Sequence, residues 1–539
     1  MIKLKSLIYL FLLSTSMAFG VERSYDDLTN VALNFMNDTH NKVNYEIKKE
    51  IVITQNSTHR IFLLKPSGWI IISKDDIARP ILAYSEISNL EENNLSPEFK
   101  KWLEGLNKEV QTAKQNNSLR TQVNTNKENK FKNQWKKYSV EKDIFDENKL
   151  YNSSLRTGTI VYESRDFLLK NINWDQGHPY NAITPNNNYV GCTATALTQI
   201  MAFHSWPQRG LGSYSYKHSE YGTINANFNI MYNWRTPTAT DKALISYHVG
   251  VASDMHYASS GSSAWPIEEN LRKHFGYDLQ NRVDRANYTE DEWAQKIKTD
   301  INNKRPIWYA GYSSSDGHAI VLDGYREGET SFYHFNYGWN GAYNGWYALD
   351  AMGVGFNNNQ AALFEMKPNL SNTFRFQDDK VYIYNPSTKR LAFSRGAPVK
   401  RNEGGWLRSP IALGTDINYY SKAVWQIQPY ADGYVIRNVK TKRYLFDPSG
   451  RNDPREFGWL GSTKILETDM NYYGKAIWYL ERNSYTKNTF KIKNAISGKY
   501  LFQTGSEVKG YEGGWLKSPS LVGLNSSSNY YNRATWEIK

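Results

Sequence analysis

The end of the chain repeats itself three times, and no other feature narrows the fold as much. Glu403-Gly404-Gly405-Trp406-Leu407 returns as Glu456-Phe457-Gly458-Trp459-Leu460 and as Glu512-Gly513-Gly514-Trp515-Leu516, with the tryptophans 53 and 56 residues apart. Each copy opens on an asparagine before a turn (Asn385, Asn438, Asn494), passes a leucine (Leu391, Leu445, Leu501) and closes on a tryptophan (Trp425, Trp478, Trp536). Units this short, made of strands and turns, cannot each enclose a core, but three can close around a common axis. The repeat predicts an all-β trefoil over residues 372–539, with the closing tryptophans as repeated core residues.

Upstream, one stretch carries a signal for chemistry as well as packing. Gly191-Cys192-Thr193-Ala194-Thr195-Ala196-Leu197-Thr198-Gln199-Ile200-Met201-Ala202-Phe203-His204 contains the only cysteine among 539 residues. A polar, glycine-ended run precedes it and helix formers follow, which places Cys192 at a helix N-terminus. Unpaired N–H groups and the helix dipole there favour the thiolate, the form a cysteine nucleophile needs. A lone cysteine is more often an inert buried residue; this setting argues the other way. The matching base is His318, which follows the polar loop Ser314-Ser315-Asp316-Gly317 and opens the buried strand Ala319-Ile320-Val321-Leu322. Beyond it, Phe332-Tyr333-His334-Phe335-Asn336-Tyr337-Gly338-Trp339-Asn340-Gly341 reads as an aromatic hairpin suited to orienting and shielding an imidazole. His204 and His334 read as structural, and no His or Cys spacing fits a metal site, so neither metal nor cofactor is expected.

The first residues, Met1-Ile2-Lys3-Leu4-Lys5, then an apolar run to Leu13, then Ser16-Met17-Ala18-Phe19-Gly20, read as a secretory signal peptide over 1–20. It is too short for a membrane span. Export permits disulfides, but one cysteine cannot form one internally, which again reserves Cys192 for chemistry. Residues 21–112 read as an α+β domain: a helix over Ser24–Met36, strands at Ile51–Ile53, Arg60–Leu64 and Gly68–Ser73, and a helix over Glu98–Lys114. Residues 113–158 are crowded with polar and charged side chains that cannot offset their ordering entropy, so they read as an exposed linker, with cleavage expected between Lys137 and Arg165.

Over 159–371 helices are predicted at Asp241–Tyr257, Pro266–Phe275 and Thr289–Ile301. Strands are predicted at Pro306–Ala310, Ala319–Leu322, Ser331–Phe335 and Trp346–Leu349. A helical half carrying the thiol thus faces a β-rich half carrying the imidazole, with a cleft between. The formal charge of +12, from 65 basic and 53 acidic residues, comes without a compact basic stripe, so no nucleic-acid partner is expected.

These blocks resemble the streptopain family of papain-like secreted cysteine peptidases, whose members carry a Gly-Cys-x-Ala-Thr-Ala helix start, a Gly-His-Ala strand start and an Asn-Trp-Gly-Trp hairpin. The matching residues are Gly191 to Ala196, Gly317-His318-Ala319 and Asn336-Tyr337-Gly338-Trp339. Asn173 to Asn181 is similar to the family segment whose glutamine, here Gln176, helps form the oxyanion hole. Asp254 to Ser262 resembles the serine-rich loop that lines the cleft. Five blocks in one order are far more specific than any one of them. The resemblance implies Cys192 as nucleophile, His318 as general base and acid, Asn336 orienting the ring, Trp339 packing over it, and Ser262 and Gly317 against a protein or peptide substrate. Tyr337 stands where the family has its first tryptophan.

Gly68 to Asp76 is similar to the family's propeptide, which implies that residues 21–112 cover the active site as an inhibitor until cleavage. The repeat region resembles ricin-B-type lectin modules, which implies a glycan or cell-surface ligand. There the usual Gln-x-Trp is replaced by Ala423-Val424-Trp425, Ala476-Ile477-Trp478 and Ala534-Thr535-Trp536, and an acidic residue near the proposed sugar site is plain only at Asp447. The expected architecture is therefore α+β: a papain-like catalytic domain between an α+β propeptide domain and an all-β trefoil. Two other functions stay open. One is a lectin-like adhesin or toxin with a silent peptidase-like part, against which intact Cys192 and His318 argue. The other is a Cys/His cell-wall amidase anchored by the trefoil.

Overall fold

A computed structural model describes residues 21–39, 43–54, 56–90, 95–117, 125–139, 164–259, 261–312, 317–328, 330–349, 358–371, 380–394, 407–408, 422–442, 444–447, 457–459, 461–463, 475–503, 516–519 and 532–539. The proposed signal peptide, and residues 140–163 within the expected cleavage window, lie outside them.

The chain begins with α1 (Tyr25–Thr39), whose Leu28, Val31, Ala32, Phe35 and Met36 recur at helical spacing and are buried. Four antiparallel strands follow, β1 (Glu46–Ile51), β2 (His59–Lys65), β3 (Trp69–Ser73) and β4 (Ile81–Ser85), then α2 (Pro97–Asn117) and α3 (Thr125–Ser139). α3 corrects the reading of 113–158 as an exposed linker throughout. Its average composition is polar, but two aromatic residues anchor it. Trp135 is buried and donates its Nε1–H to the Ala78 carbonyl at 2.8 Å, and the Tyr138 carbonyl accepts from Asn34 Nδ2 at 2.8 Å.

The central elements are β5 (Ser164–Arg165), α4 (Cys192–His204), the hairpin β6 (Ser213–His218) and β7 (Gly222–Asn227), α5 (Ala239–Ala252), α6 (Glu268–Phe275), short β8 (Tyr277–Asp278) and β9 (Val283–Asp284), and α7 (Glu290–Asn302). After them come β10 (Ile307–Tyr312), β11 (Gly317–Arg326), β12 (Phe332–Asn336), β13 (Gly345–Tyr347) and β14 (Asn358–Leu363). Capping boxes, Thr238 with Asp241 and Thr289 with Glu292, fix the starts of α5 and α7. α5 stops at Ala252, short of the expected Tyr257, and Asp254 takes a left-handed φ of 51° just beyond it.

One eleven-stranded sheet joins the N-terminal module to the central region, in the order β1-β2-β3-β4-β13-β12-β11-β10-β14-β9, with β5 beside β11. The junction is the pairing of Tyr84 with Trp346 and Ala83 with Tyr347. Gly345 permits the close approach, since a Cβ there would lie 2.6 Å from the Tyr84 carbonyl oxygen. α4 packs against β10, β11 and α5.

In the C-terminal region six strands pair in a closed ring: Val381–Asn385, Val424–Tyr430, Gly433–Asn438, Ile477–Arg482, Thr489–Asn494 and Thr535–Ile538, the last returning to the first. Trp425, Trp478 and Trp536 fill it with no exposed surface and donate Nε1–H to the carbonyls of Ala392, Leu445 and Leu501 at 2.9, 3.1 and 2.8 Å. Asn385, Asn438 and Asn494 are equally buried, and each accepts from the N–H three residues on, which builds the same turn three times. Asp447 is fully buried and accepts from Ser497 Oγ, so it cannot face a sugar. Trp406 and Trp515 lie outside the described residues.

The ring is locked to the central region by buried polar groups. Arg482 Nε donates to Asp241 Oδ1 at 2.7 Å, Arg482 Nη1 to the Lys487 carbonyl at 3.0 Å, and Arg482 Nη2 to the Met231 carbonyl. Asn233 Nδ2 donates to the Leu480 carbonyl at 2.6 Å, and Tyr434 Oη donates to Asn233 Oδ1 at 3.0 Å. Met231 completes the apolar core of the ring.

Burial also sets the response to acid. His59 in β2, His204 at the end of α4 and His248 in α5 are held neutral by desolvation, pulled from an ordinary 6.5 to about 4, about 4 and about 3. Unfolding restores their ordinary affinity, so below pH 6.5 the unfolded chain binds protons that the native one refuses. Stability intact above pH 6.5 is therefore lost as pH falls toward 4, on the order of 1.4 kcal/mol per pH unit for each histidine. Urea unfolding of a Cys192→Ala chain is expected to show a clearly lower midpoint at pH 5 than at pH 7; equal midpoints would refute the assignment.

Candidate active site

Cys192 is the first residue of α4, and no side chain caps that end. The helix enters through Gly191 at φ 93°, where a Cβ would strike Met255 Sδ at 2.5 Å, so only glycine fits. Thr193 to Met201 are buried, while Cys192 itself is partly exposed. The opening of a buried helix onto solvent is the setting that favours a thiolate.

His318 is the second residue of β11, 4% exposed, and its ring is fixed from the hairpin after β12. Nε2 lies 3.2 Å from the Tyr337 main-chain carbonyl, and the Tyr337 ring stacks on the imidazole with centroids 5.6 Å apart. These contacts bear on two expectations. Asn336 turns its amide to the main chain: Nδ2 donates to the Ile172 carbonyl at 2.8 Å and Oδ1 accepts from Gly338 N at 3.1 Å. Its side chain therefore holds the Tyr337–Gly338 peptide unit whose oxygen meets the ring. Trp339 packs edge-on against Tyr189 at 5.7 Å, and the shielding ring is Tyr337, the residue that departs from the family pattern. Gly338, at φ 72°, lets the hairpin reach α4, because a Cβ there would meet Thr195 Cγ2 at 2.9 Å. Burial keeps the Tyr337 phenol protonated far above its usual range.

Gln176 is buried, and its main-chain carbonyl accepts from Val190 N at 2.9 Å, which ties its segment to the turn just before Cys192. Its side-chain amide makes no hydrogen bond among the described residues. Ser262 closes a tight turn by accepting from Ala258 N at 3.3 Å, and its carbonyl lies against Gly191. Thr193 Oγ1 donates to the Ala264 carbonyl at 2.6 Å, so this loop runs along the mouth of α4. Gly317 opens β11 opposite Tyr312. His334 pairs with buried Asp323 at 2.6 Å and stacks on Phe167 at 4.1 Å, a structural role that also anchors Leu169 N on Asp323 Oδ2 at 2.8 Å.

Sequence reasoning missed Asn344. Its Oδ1 accepts from Tyr337 N at 2.9 Å and its Nδ2 donates to Asn173 Oδ1 at 3.1 Å. The Asn344-Gly345 pair signals only a turn.

The N-terminal module grips the same hairpin from outside. Phe99 of α2 stacks on Tyr343 at 4.4 Å and meets Tyr337 edge-on at 6.3 Å. Ser96 N donates to Tyr343 Oη at 2.6 Å, and Ser88 Oγ donates to the Asn344 carbonyl at 2.5 Å. Arg326 pairs with Glu86 and lies 3.8 Å over the Trp346 ring. A cleft of about 760 Å³ remains between the two parts, with Ile87 and Leu95 on one side and Asn173, Tyr189 and Trp339 on the other.

Comparison with known proteins fits this division. Residues 174–347 match the model of the Peptidase C10 family, and residues 25–110 match that of the Spi protease inhibitor. Streptopain of Streptococcus pyogenes is 32% identical over 248 residues, covering 37% of this chain and 61% of that one. The matched part thus falls short of the full streptopain length. A thiol protease/hemagglutinin, PrtT, of Porphyromonas gingivalis is 34% identical over 218 residues, covering 36% of this chain and 25% of that one. The solved structure of a Prevotella intermedia prointerpain A fragment aligns at 27% identity with a TM-score of 0.45, over 58% of this chain and 97% of that one. The chain therefore carries a streptopain-like domain of the Peptidase C10 family behind a domain of the Spi inhibitor type.

Proposed function

We propose that the protein is a secreted zymogen cysteine endopeptidase that uses Cys192 and His318 as a thiolate–imidazolium pair. The observation that carries this reading is the bond from His318 to the Tyr337 carbonyl. A carbonyl only accepts, so Nε2 holds a hydrogen and proton exchange falls to Nδ1. That ring opens a strand packed on the helix that begins with the only cysteine. In the reaction the thiolate attacks a peptide carbonyl carbon, and the oxyanion is met by Gln176 and the Cys192 N–H. His318 then protonates the leaving amine and later takes a proton from the water that hydrolyses the thioester. Ser262 and Gly317 border the substrate. Labelling of processed protein by a thiol-directed epoxide peptide, together with casein cleavage, tests the reading. A silent adhesin would not label, and a wall amidase would label without cleaving casein.

The N-terminal module is assigned as the inhibitor, with cleavage between Lys137 and Arg165. Its grip depends on Phe99, so a Phe99→Ala module added to mature enzyme is expected to inhibit with a Ki about 100-fold higher, as removal of a buried aromatic anchor implies. An unchanged Ki would place the inhibitory contacts elsewhere. For residues 372–539 the proposed fold is a β-trefoil, supported by the closed six-strand ring and its three matched tryptophans. A glycan or cell-surface ligand is the proposed partner.

A further inference from the structure

We infer that Asn344 is a positioning residue for His318, acting through the Tyr337 backbone, and that it couples the imidazole's support to the segment carrying the oxyanion donor. The inference rests on the peptidase reading above. Residue 337 is held on both sides by side-chain amides. Its own N–H goes to Asn344 Oδ1 at 2.9 Å, and the next N–H, of Gly338, goes to Asn336 Oδ1 at 3.1 Å. Between these two restraints lies the carbonyl that faces His318 Nε2 at 3.2 Å.

Asn344 also reaches the segment that leads to Gln176. Its Nδ2 donates to Asn173 Oδ1 at 3.1 Å, and Asn340 N donates to the Trp174 carbonyl at 3.1 Å, two residues before Gln176. In the uncleaved chain Asn344 is 8% exposed, and in the matured enzyme losing its oxygen would take from the Tyr337 N–H the acceptor that fixes its peptide plane. The peptide plane could then turn, and its carbonyl would drift from the imidazole. Asn344 bonds the Tyr337 backbone behind the ring and Asn173, and not Ser262 or Gly317, the residues placed against substrate. The expected signature is a fall in turnover with little change in KM.

Both Asn344→Ala and Asn344→Asp should be made in the full-length chain, matured, and counted by titration with the thiol-directed epoxide. Aspartate keeps an acceptor for Tyr337 N, and Asn173 can turn its amide to donate to it. Per titrated site, Asn344→Ala is expected to lower kcat about 30-fold with KM within about twofold, and Asn344→Asp to retain kcat within about threefold. Wild-type kcat per site in Asn344→Ala would overturn the inference, as would equal losses in both variants. Fewer titratable sites with unchanged turnover would assign Asn344 a structural role only. If the wild-type protein itself takes no label, the peptidase reading fails, an outcome separate from any difference between variants.

Discussion

Cys192→Ala is expected to remove peptide hydrolysis almost entirely, by about 10⁵-fold in kcat/KM, as deletion of a covalent nucleophile does. Alanine is the best helix former and fits the first turn of α4, so the fold should persist. Thermal unfolding of the variant should match that of an uncleaved wild-type chain, and epoxide labelling should vanish. The same variant reports on maturation. If the enzyme cuts its own chain, Cys192→Ala accumulates at full length, and added active enzyme trims it between Lys137 and Arg165. Casein cleavage above about 1% of wild type would mean that another group attacks the substrate.

Replacing Arg482 is expected to be the most destabilising single change outside the site. Its side chain has no exposed surface, and it pairs at 2.7 Å with Asp241, whose own exposure is 4%. Asp241 is also the N3 residue of the α5 capping box, with Oδ2 accepting from Thr238 N at 3.0 Å. Removing the guanidinium leaves a buried carboxylate without its cation, which costs about 3–5 kcal/mol. Arg482→Leu on a Cys192→Ala background should therefore lower the urea midpoint and split one unfolding transition into two, as the ring separates from the peptidase half. Adding Asp241→Asn removes the orphaned charge but keeps a capping oxygen, and should recover part of the loss. A loss below about 1 kcal/mol would show that the pair contributes no more than a surface ion pair.

Some of this was legible in the sequence and some was not, for physical reasons. The start of α4 announced itself through glycine, cysteine and a helix-forming run. The three tryptophans marked the ring because a repeat must bury the same residue in each copy. α3 was hidden because polar composition dominated two buried aromatic residues, Trp135 and Tyr138, whose partners lie far off in the chain. The support of His318 is not legible in the sequence, because side-chain identity cannot reveal a main-chain acceptor. Asn336 bonds the backbone of the hairpin. Docking of the ring through Arg482 and Asp241 joins positions 241 residues apart, which no local pattern encodes.

Strand β4, seated beside β13, has a consequence for the timing of activation. A cut in the connecting segment breaks one covalent bond, yet every cross-strand amide and aromatic contact survives it. The nicked molecule would stay latent as a two-piece complex, and the delay before activity would be set by dissociation or digestion of the departing piece. Dilution should then shorten that lag, because a released fragment finds its seat again more slowly when both pieces are scarce.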